Sequence, residues 1–465
     1  MKEVLLGLCP IGKFVFSHED AVKQKRSIQA KLREMNVRFI DLDVALAETD
    51  GLVRAQEHVD AAVAHLKSQK VDAVFMPHCN FGTEGAAGMI ARKMGLPVLL
   101  WGPQDEAPAD DGSRLRDTLC GLLASTKVVR KLVGNKYTYI ENCRIDDPIF
   151  ARGLDMFLRA SAVVKAARGM RIGVVGNRID FFWTTIDNES ELLEKFGIEI
   201  LPVDISDFIN GVLRRYEQNR AAYAEELAML KADWLSCDNV KDQTELLKGL
   251  AARDELLRLA EEKNLTAVAV QSFFSIGNAI GCGAAIYTML AGERIIIADE
   301  TDIHGAISSV LIDAAKKTDE RVFFPEYVIR HPDNPNGVLM WHVGAPASLR
   351  HPSCPAVTIM PPWILPGTEP VQAQFRLKDG DLSICRFDGD TGSYVLGVGE
   401  AHTIEGPKTR DFYAWIEVNN WPRWERQLME GPYIHHCSAV YGHCTDALIE
   451  AAKYLDIPVE IYGSD

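Results

Sequence analysis

Between residues 4 and 101, short apolar runs alternate with stretches in which apolar residues recur every three or four positions. The runs lie at 4–8, 37–42, 71–76 and 96–101, and the periodic stretches at 21–35, 53–69 and 84–94. An unbroken apolar run predicts a buried strand, and a repeat of 3.6 predicts a helix. Single helices between strands impose parallel pairing, because only a crossover of that length can carry the chain back. The alternation restarts at Met170-Arg-Ile-Gly-Val-Val-Gly176 and continues through a strand at 198–203 and charged amphipathic helices over 207–233 and 239–263. A strand at 265–270 and the run Arg294-Ile-Ile-Ile-Ala298 complete it. Beyond residue 344 prolines become frequent, and short alternating runs at 357–360, 371–377, 382–387, 393–397 and 414–418 are separated by turns such as Lys378-Asp-Gly-Asp381. That texture predicts antiparallel pairing. The expected class is α/β: two doubly wound parallel-sheet domains, over residues 1–165 and 166–345, then a β-rich, antiparallel barrel-like C-terminal domain over 346–465.

Composition narrows the partners. The net charge of −15 repels polyanions at long range, which argues against nucleic acid or an anionic membrane surface and leaves a small molecule as the expected partner. The 10 cysteines are scattered without framework spacing, as in a reduced, cytoplasmic protein. The first residues pair a charge couple with a strand-like run, unlike a secretory signal. No phosphate-cradling Walker loop occurs. Gly173 and Gly176 follow a strand, but the third glycine of a dinucleotide fingerprint is missing and Arg178-Ile-Asp-Phe-Phe-Trp183 follows instead.

Candidate chemistry collects where apolar runs stop. Arg294–298 opens into Ala298-Asp-Glu-Thr-Asp-Ile-His-Gly-Ala306, which places Glu300, Asp302 and His304 at the carboxyl end of a predicted parallel strand, where ligands sit in such sheets. Phe323-Phe-Pro-Glu326 ends a run on a carboxylate, Leu339-Met-Trp-His342 ends one on an imidazole, and Gly431-Pro-Tyr-Ile-His-His436 ends one on two. If Glu300, Glu326, His342 and His436 converge, the mixed oxygen and nitrogen donors suit Mn²⁺, with other divalent cations also compatible. A chelated hydroxy-carbonyl unit has an acidified C–H, and two carboxylates beside it can move a proton between neighbouring carbons. Each residue also has a plainer reading: Asp302 or His304 as a helix cap, His342 as a core histidine, and His435-His436-Cys437 with His443-Cys444 as a zinc site lacking the paired spacing of a finger. The polar turn Pro77-His-Cys-Asn-Phe-Gly82 is a second strand-to-helix junction, equally consistent with a ligand contact and with a cap.

These segments resemble the L-fucose isomerase and L-arabinose isomerase superfamily. Ala298-Asp-Glu-Thr-Asp-Ile-His-Gly, preceded by Gln271, is similar to the segment holding that family's first metal-binding glutamate, which falls on Glu300. Phe324-Pro-Glu326 resembles the segment of the second acidic ligand, Trp341-His-Val-Gly344 the histidine segment of the arabinose branch, and Tyr433-Ile-His-His436 the closing pair whose second histidine is a ligand. The resemblance implies two α/β domains and a β-rich third. It also implies a Mn²⁺-dependent aldose–ketose isomerase with Glu300 and Glu326 as the proton-transfer pair, and Glu300, Glu326, His342 and His436 around the metal. Sugar hydroxyls are expected at Gln271, Asp302, His304 and His435. Family members oligomerise as trimers or hexamers, which makes a homo-oligomer the expectation and offers His78 and Asn80 as contacts to a neighbour's substrate. The alternative is a non-catalytic sugar-binding or regulatory protein on the same scaffold.

Overall fold

A computed structural model describes every residue except 1–2, 239, 241–242, 274, 362, 364–371, 391 and 465. The expected strand at 371–377 and helix at 239–263 therefore lie partly outside the described residues. Two compact units emerge: Met1–Lys165 with Ile449–Asp456, and Ala166–Leu448 with Ile457–Asp465. Among the described residues no helix is long and apolar enough to cross a membrane.

The first unit holds five parallel strands, β1 (Leu6–Leu8), β2 (Phe39–Ile40), β3 (Ala73–Pro77), β4 (Val98–Trp101) and β5 (Thr138–Tyr139), in the order β2-β1-β3-β4-β5. This is a common doubly wound order, with its switch point between β1 and β3. Val74 and Met76 pack with the helices Val59–Ser68 and Glu84–Met94, whereas Ala73 and Phe75 pack with His18–Glu34 and Pro148–Arg168. Burial on both faces is why the strands read as unbroken apolar runs. The helix expected from residue 53 begins at Val59, because Val53 bridges to Ile11 as an extended residue. Helix Thr118–Val133 and the first half of Pro148–Arg168 were not expected.

The second unit contains β6 (Arg171–Val175), β7 (Glu199–Val203), β8 (Leu235–Ser236), β9 (Ala267–Val270) and β10 (Ile296–Ala298). Four of these form a parallel sheet in the order β10-β9-β6-β7. Its carboxyl edge carries the loops after β6, β9 and β10. The remaining strands are β11 (Glu326–Arg330), β12 (Gly337–His342), β13 (Val357–Met360), β14 (Gln372–Arg376), β15 (Asp381–Asp390), β16 (Ser393–Ile404), β17 (Phe412–Val418), β18 (Ser438–Tyr441) and β19 (Val459–Ile461). With β8 they build a ten-stranded sheet whose main path is β18-β15-β16-β17-β14-β13-β8. The expected barrel-like, antiparallel arrangement is not what forms. The path has two ends and does not close among the described residues, and β14–β17, β13–β8 and β16–β19 are parallel pairs, so the sheet is mixed. Alternation in a strand specifies that one face is buried; it says nothing about which neighbour the strand takes.

Helix Ile303–Ala315 is buried almost throughout and packs against both β9–β10 of the parallel sheet and β15 and β18 of the mixed one. A helix covered on both sides is apolar all round rather than amphipathic. Its first turn carries Asp302 and His304, and thus lies where the two sheets of this unit face each other.

Candidate metal centre

Strand β10 ends at Ala298, and the chain reaches helix Ile303–Ala315 through a turn in which Glu300 and Thr301 both take left-handed backbone, with φ of 61° and 53°. Such a conformation costs roughly 1–2 kcal/mol for a residue with a Cβ, so the surroundings must hold it. Glu300 N donates to Ser272 Oγ at 2.7 Å and Thr301 N to the Val270 carbonyl at 3.0 Å, which ties the turn to the end of β9. Asp302 then caps the helix, its Oδ1 accepting from Gly305 N at 2.8 Å.

Strand pairing brings the other donors to this turn. Glu326 opens β11, opposite Trp341 of β12, and is bridged on its other side to His436; Tyr327 N donates to the His435 carbonyl at 3.0 Å. The expectation that every donor ends a strand is corrected here. Glu326 begins one, and His436 precedes β18; pairing between the two segments nevertheless runs on past Pro325, whose carbonyl accepts from Cys437 N at 2.9 Å. His342 does end β12.

Glu300 Oε2 lies 3.2 Å from His436 Nε2, and Glu300 Oε1 lies 4.0 Å from His342 Nε2. Glu326 Oε2 lies 3.3 Å from His435 Nε2 and 3.9 Å from His436 Nε2. Two donor sets share His436: Glu300, His342 and His436 in one, Glu326, His435 and His436 in the other, with the donor atoms of each set within 4.8 Å of one another. His435 is the outermost, its side chain 45% exposed. In the first set Glu300 Oε2, His342 Nε2 and His436 Nε2 are all buried and none makes a well-formed hydrogen bond. Buried polar atoms are normally satisfied; three orphans of donor type around one point are what a divalent cation would satisfy.

The electrostatics agree. Burial favours the neutral ring of His436, but Asp302 and Glu300 outweigh it and raise the imidazolium to about 9. A proton on His436 thus stands between two carboxylates, where a cation would supply the same charge. Burial pushes His342 down to about 4, leaving a neutral ring able to ligate. Burial opposes ionisation of Glu300, yet His436 and then His342 hold its carboxyl below the ordinary value. Glu326 is pushed up to about 7 by burial and by the Glu300 charge, against the pull of His436.

Beneath this cluster runs a buried chain of ion pairs. His436 Nδ1 meets Asp302 Oδ2 at 3.1 Å; Arg386 spans both Asp302 oxygens at 2.5 and 3.1 Å and reaches Asp388 Oδ2 at 2.8 Å; Asp388 Oδ1 accepts from His304 Nδ1 at 2.9 Å. Burial disfavours the charged form of Asp302, but Arg386 and His436 hold it well below the usual carboxylate range. Orientation of a metal-site histidine by a carboxylate on its far nitrogen is the usual supporting arrangement. Arg386 and Asp388 escaped the sequence reasoning. Their signal was present: opposite charges at i and i+2 in an otherwise apolar strand share one face, and in a buried strand they must be paired.

The profile described as fucose/sulfoquinovose isomerase, N-terminal domain, matches residues 7–168, and that of L-fucose isomerase, C-terminal domain, matches residues 372–463. The chain belongs to the fucose isomerase-like family. Among relatives of this family member, the sulfoquinovose isomerase of Priestia aryabhattai is 23% identical over 427 residues, covering 88% of this chain and 90% of its own. The sulfoquinovose isomerases of Alkalicoccus urumqiensis and of Clostridium sp. (strain MSTE9) are each 22% identical, covering 88% and 84% of this chain and 90% and 86% of theirs.

The other expected contacts divide. Gln271 follows β9 and donates through Nε2 to the Asn177 carbonyl at 2.8 Å, leaving Oε1 buried without a partner. His304 is buried, with Nε2 unpartnered. His78 and Asn80 belong to the first unit. His78 is enclosed, Nε2 on Ser125 Oγ at 2.7 Å and Nδ1 facing the Met76 carbonyl at 3.3 Å, and Asn80 Oδ1 accepts from Lys13 N and Gly82 N.

Proposed function

We propose that this family member is a divalent-metal-dependent aldose–ketose isomerase that moves a proton between neighbouring carbons of a monosaccharide through an enediol. The observation that carries the reading is the set of three buried ligand-type atoms on Glu300, His342 and His436, none with a well-formed hydrogen bond, and a second carboxylate, Glu326, beside them. The aldose–ketose isomerase class follows from the family and its curated relatives. Glu300, Glu326, His342 and His436 would hold the cation, Mn²⁺ being the first candidate. Once bound, a divalent cation polarises the sugar carbonyl and its neighbouring hydroxyl and acidifies the C–H between them.

The remaining steps belong to the chain. Glu326 would accept a carbon-bound proton and return it. It takes the proton from C2 of the aldose; the electrons left behind form the enediol, and return of the proton to C1 gives the ketose. Glu300 stays ionised and faces the two oxygens, whose proton moves between O1 and O2 as the carbonyl relocates. Asp302, fixed by Arg386, orients His436. Gln271 Oε1, His435 and His304 face sugar hydroxyls. Resemblance to the family supports a homo-oligomer, trimeric or hexameric, acting in the cytoplasm.

The deciding experiment incubates the protein and Mn²⁺ with a panel of aldoses and ketoses in deuterated water, sulfoquinovose first because the relatives' names carry it. Deuterium at C1 or C2 of one sugar is expected. A protein that holds stoichiometric Mn²⁺ yet labels no sugar would overturn the isomerase reading, and a metal-free protein that binds a sugar tightly would point to the non-catalytic alternative.

A further inference from the structure

The loop after β6, residues 176–188, has no part in the reading above, yet it leaves the same carboxyl edge of the parallel sheet as the Glu300 turn and the Gln271 loop. It ends at Asp187, just before helix Glu189–Phe196, whose N-cap is Asn188. That helix is fastened to the mixed sheet: Glu191 Oε2 accepts from the Tyr394 hydroxyl and from Gly392 N, each at 2.9 Å. Phe196 meets Phe387 and Tyr394 edge-on at 5.5 and 5.4 Å, and those same two rings wall His304 at 5.6 and 5.9 Å. Asp187 thus lies in the neighbourhood of His304, within reach of its electrostatic influence.

Both residues present a buried atom with no hydrogen-bond partner, Asp187 Oδ2 and His304 Nε2. The Asp388 carboxylate, held ionised by Arg386, can only accept, so His304 Nδ1 carries the hydrogen and Nε2 is the ring atom left without a partner. A buried polar atom left unpaired costs free energy, and a hydroxyl, which both donates and accepts, can serve either of these two. No donor of this chain serves them among the described residues. A pair of hydroxyl groups supplies what both lack.

We propose that Asp187 and His304 form a receptor for hydroxyls of the sugar beyond the two carbons that exchange the proton, and that Asp187 is a specificity-determining residue. The inference rests on the isomerase reading and names the part of the substrate that reading leaves open. Asp388 is the positioning residue that holds the His304 ring through Nδ1. Asp187 takes no part in the proton transfer, so its removal should weaken binding more than turnover.

The test measures solvent-deuterium incorporation by the parent and by Asp187→Ala, both loaded with Mn²⁺, on the substrate and on analogues lacking one hydroxyl at C3, C4, C5 or C6. Expected is a rise in KM on the order of 10- to 100-fold for Asp187→Ala on the full sugar with kcat little changed, the scale of a lost hydrogen bond to a charged group. That difference should vanish on one deoxy analogue, which a merely structural role would not produce. A parent that labels sugars while Asp187→Ala matches it throughout, or loses equally on every analogue, would overturn the receptor and leave the isomerase standing. A parent that labels no sugar overturns the isomerase and the receptor with it. Should Asp187→Ala fail to fold, the parent alone decides: it must reject one deoxy analogue by a comparable factor, and equal kcat/KM for all of them overturns the proposal.

Discussion

Two junctions at carboxyl ends of parallel strands carry a histidine beside polar residues, and they differ in how their polar atoms are satisfied. In the first unit, the turn after β3 encloses His78 with both ring nitrogens engaged and uses Asn80 to bind backbone N–H groups. In the second unit, the turn after β10 buries Glu300 against His342 and His436 and leaves one donor atom on each without a hydrogen bond. The residue types are alike. What separates a structural turn from a reactive one is the account of unsatisfied buried atoms, since each such atom costs about 1–3 kcal/mol unless something outside the chain completes it.

The strongest way to break this contrast is Glu300→Gln. It keeps the shape of the turn and removes a ligand charge, so isotope exchange should fall on the order of 10³-fold or more and bound Mn²⁺ should drop, read by mass spectrometry and metal analysis. Parental turnover would end the contrast. Next in size is Arg386→Met. It strands Asp302 and Asp388 as buried, uncompensated carboxylates, and urea denaturation should register a loss of about 3–5 kcal/mol.

Proton competition gives a third handle. His436 titrates at about 9 in the metal-free chain and Glu326 at about 7, and both protons must leave for a cation to bind. Metal affinity should therefore rise with pH between about 6 and 9, approaching tenfold per unit for each proton displaced. The metal-free fold should respond with opposite sign. The folded value of His436 is raised, so its stabilisation is full below the ordinary histidine value of 6.5 and is lost as pH rises through about 9. Calorimetry of metal binding and thermal melts of the stripped protein read the two slopes separately, and equal signs would refute the assignment. The smallest effect belongs to the satisfied junction. His78→Gln should cost roughly 1–3 kcal/mol of stability through Ser125 and leave Mn²⁺ stoichiometry unaltered.

Much of the architecture was legible because its cause is local. Helix Glu84–Met94 and strands β3, β4 and β13 fall where apolar period and turn residues put them. The helix Thr118–Val133 was overlooked because it follows a long polar loop that carries no periodic signal of its own. Around Glu326 the apolar run was read correctly and its role reversed: the residue starts a strand, and only the pairing of β11 with β12 and the bridge to His436 reveal this. Arg386 and Asp388 were hidden in a strand read for its apolar residues alone.

By itself the chain determined many of its strands and helices, that the N-terminal sheets are parallel, and which acids and imidazoles stand at or beside their ends, because periodicity, turn chemistry and crossover length act over a few residues at a time. Tertiary structure alone decided that residues 300, 342 and 436 share one buried point while 326 and 435 flank it, that the last sheet is mixed, and that a buried chain of ion pairs through Arg386 runs beneath them. Those outcomes depend on strand partners far apart in the chain and on which buried atoms are left without a hydrogen bond, quantities that no local pattern contains.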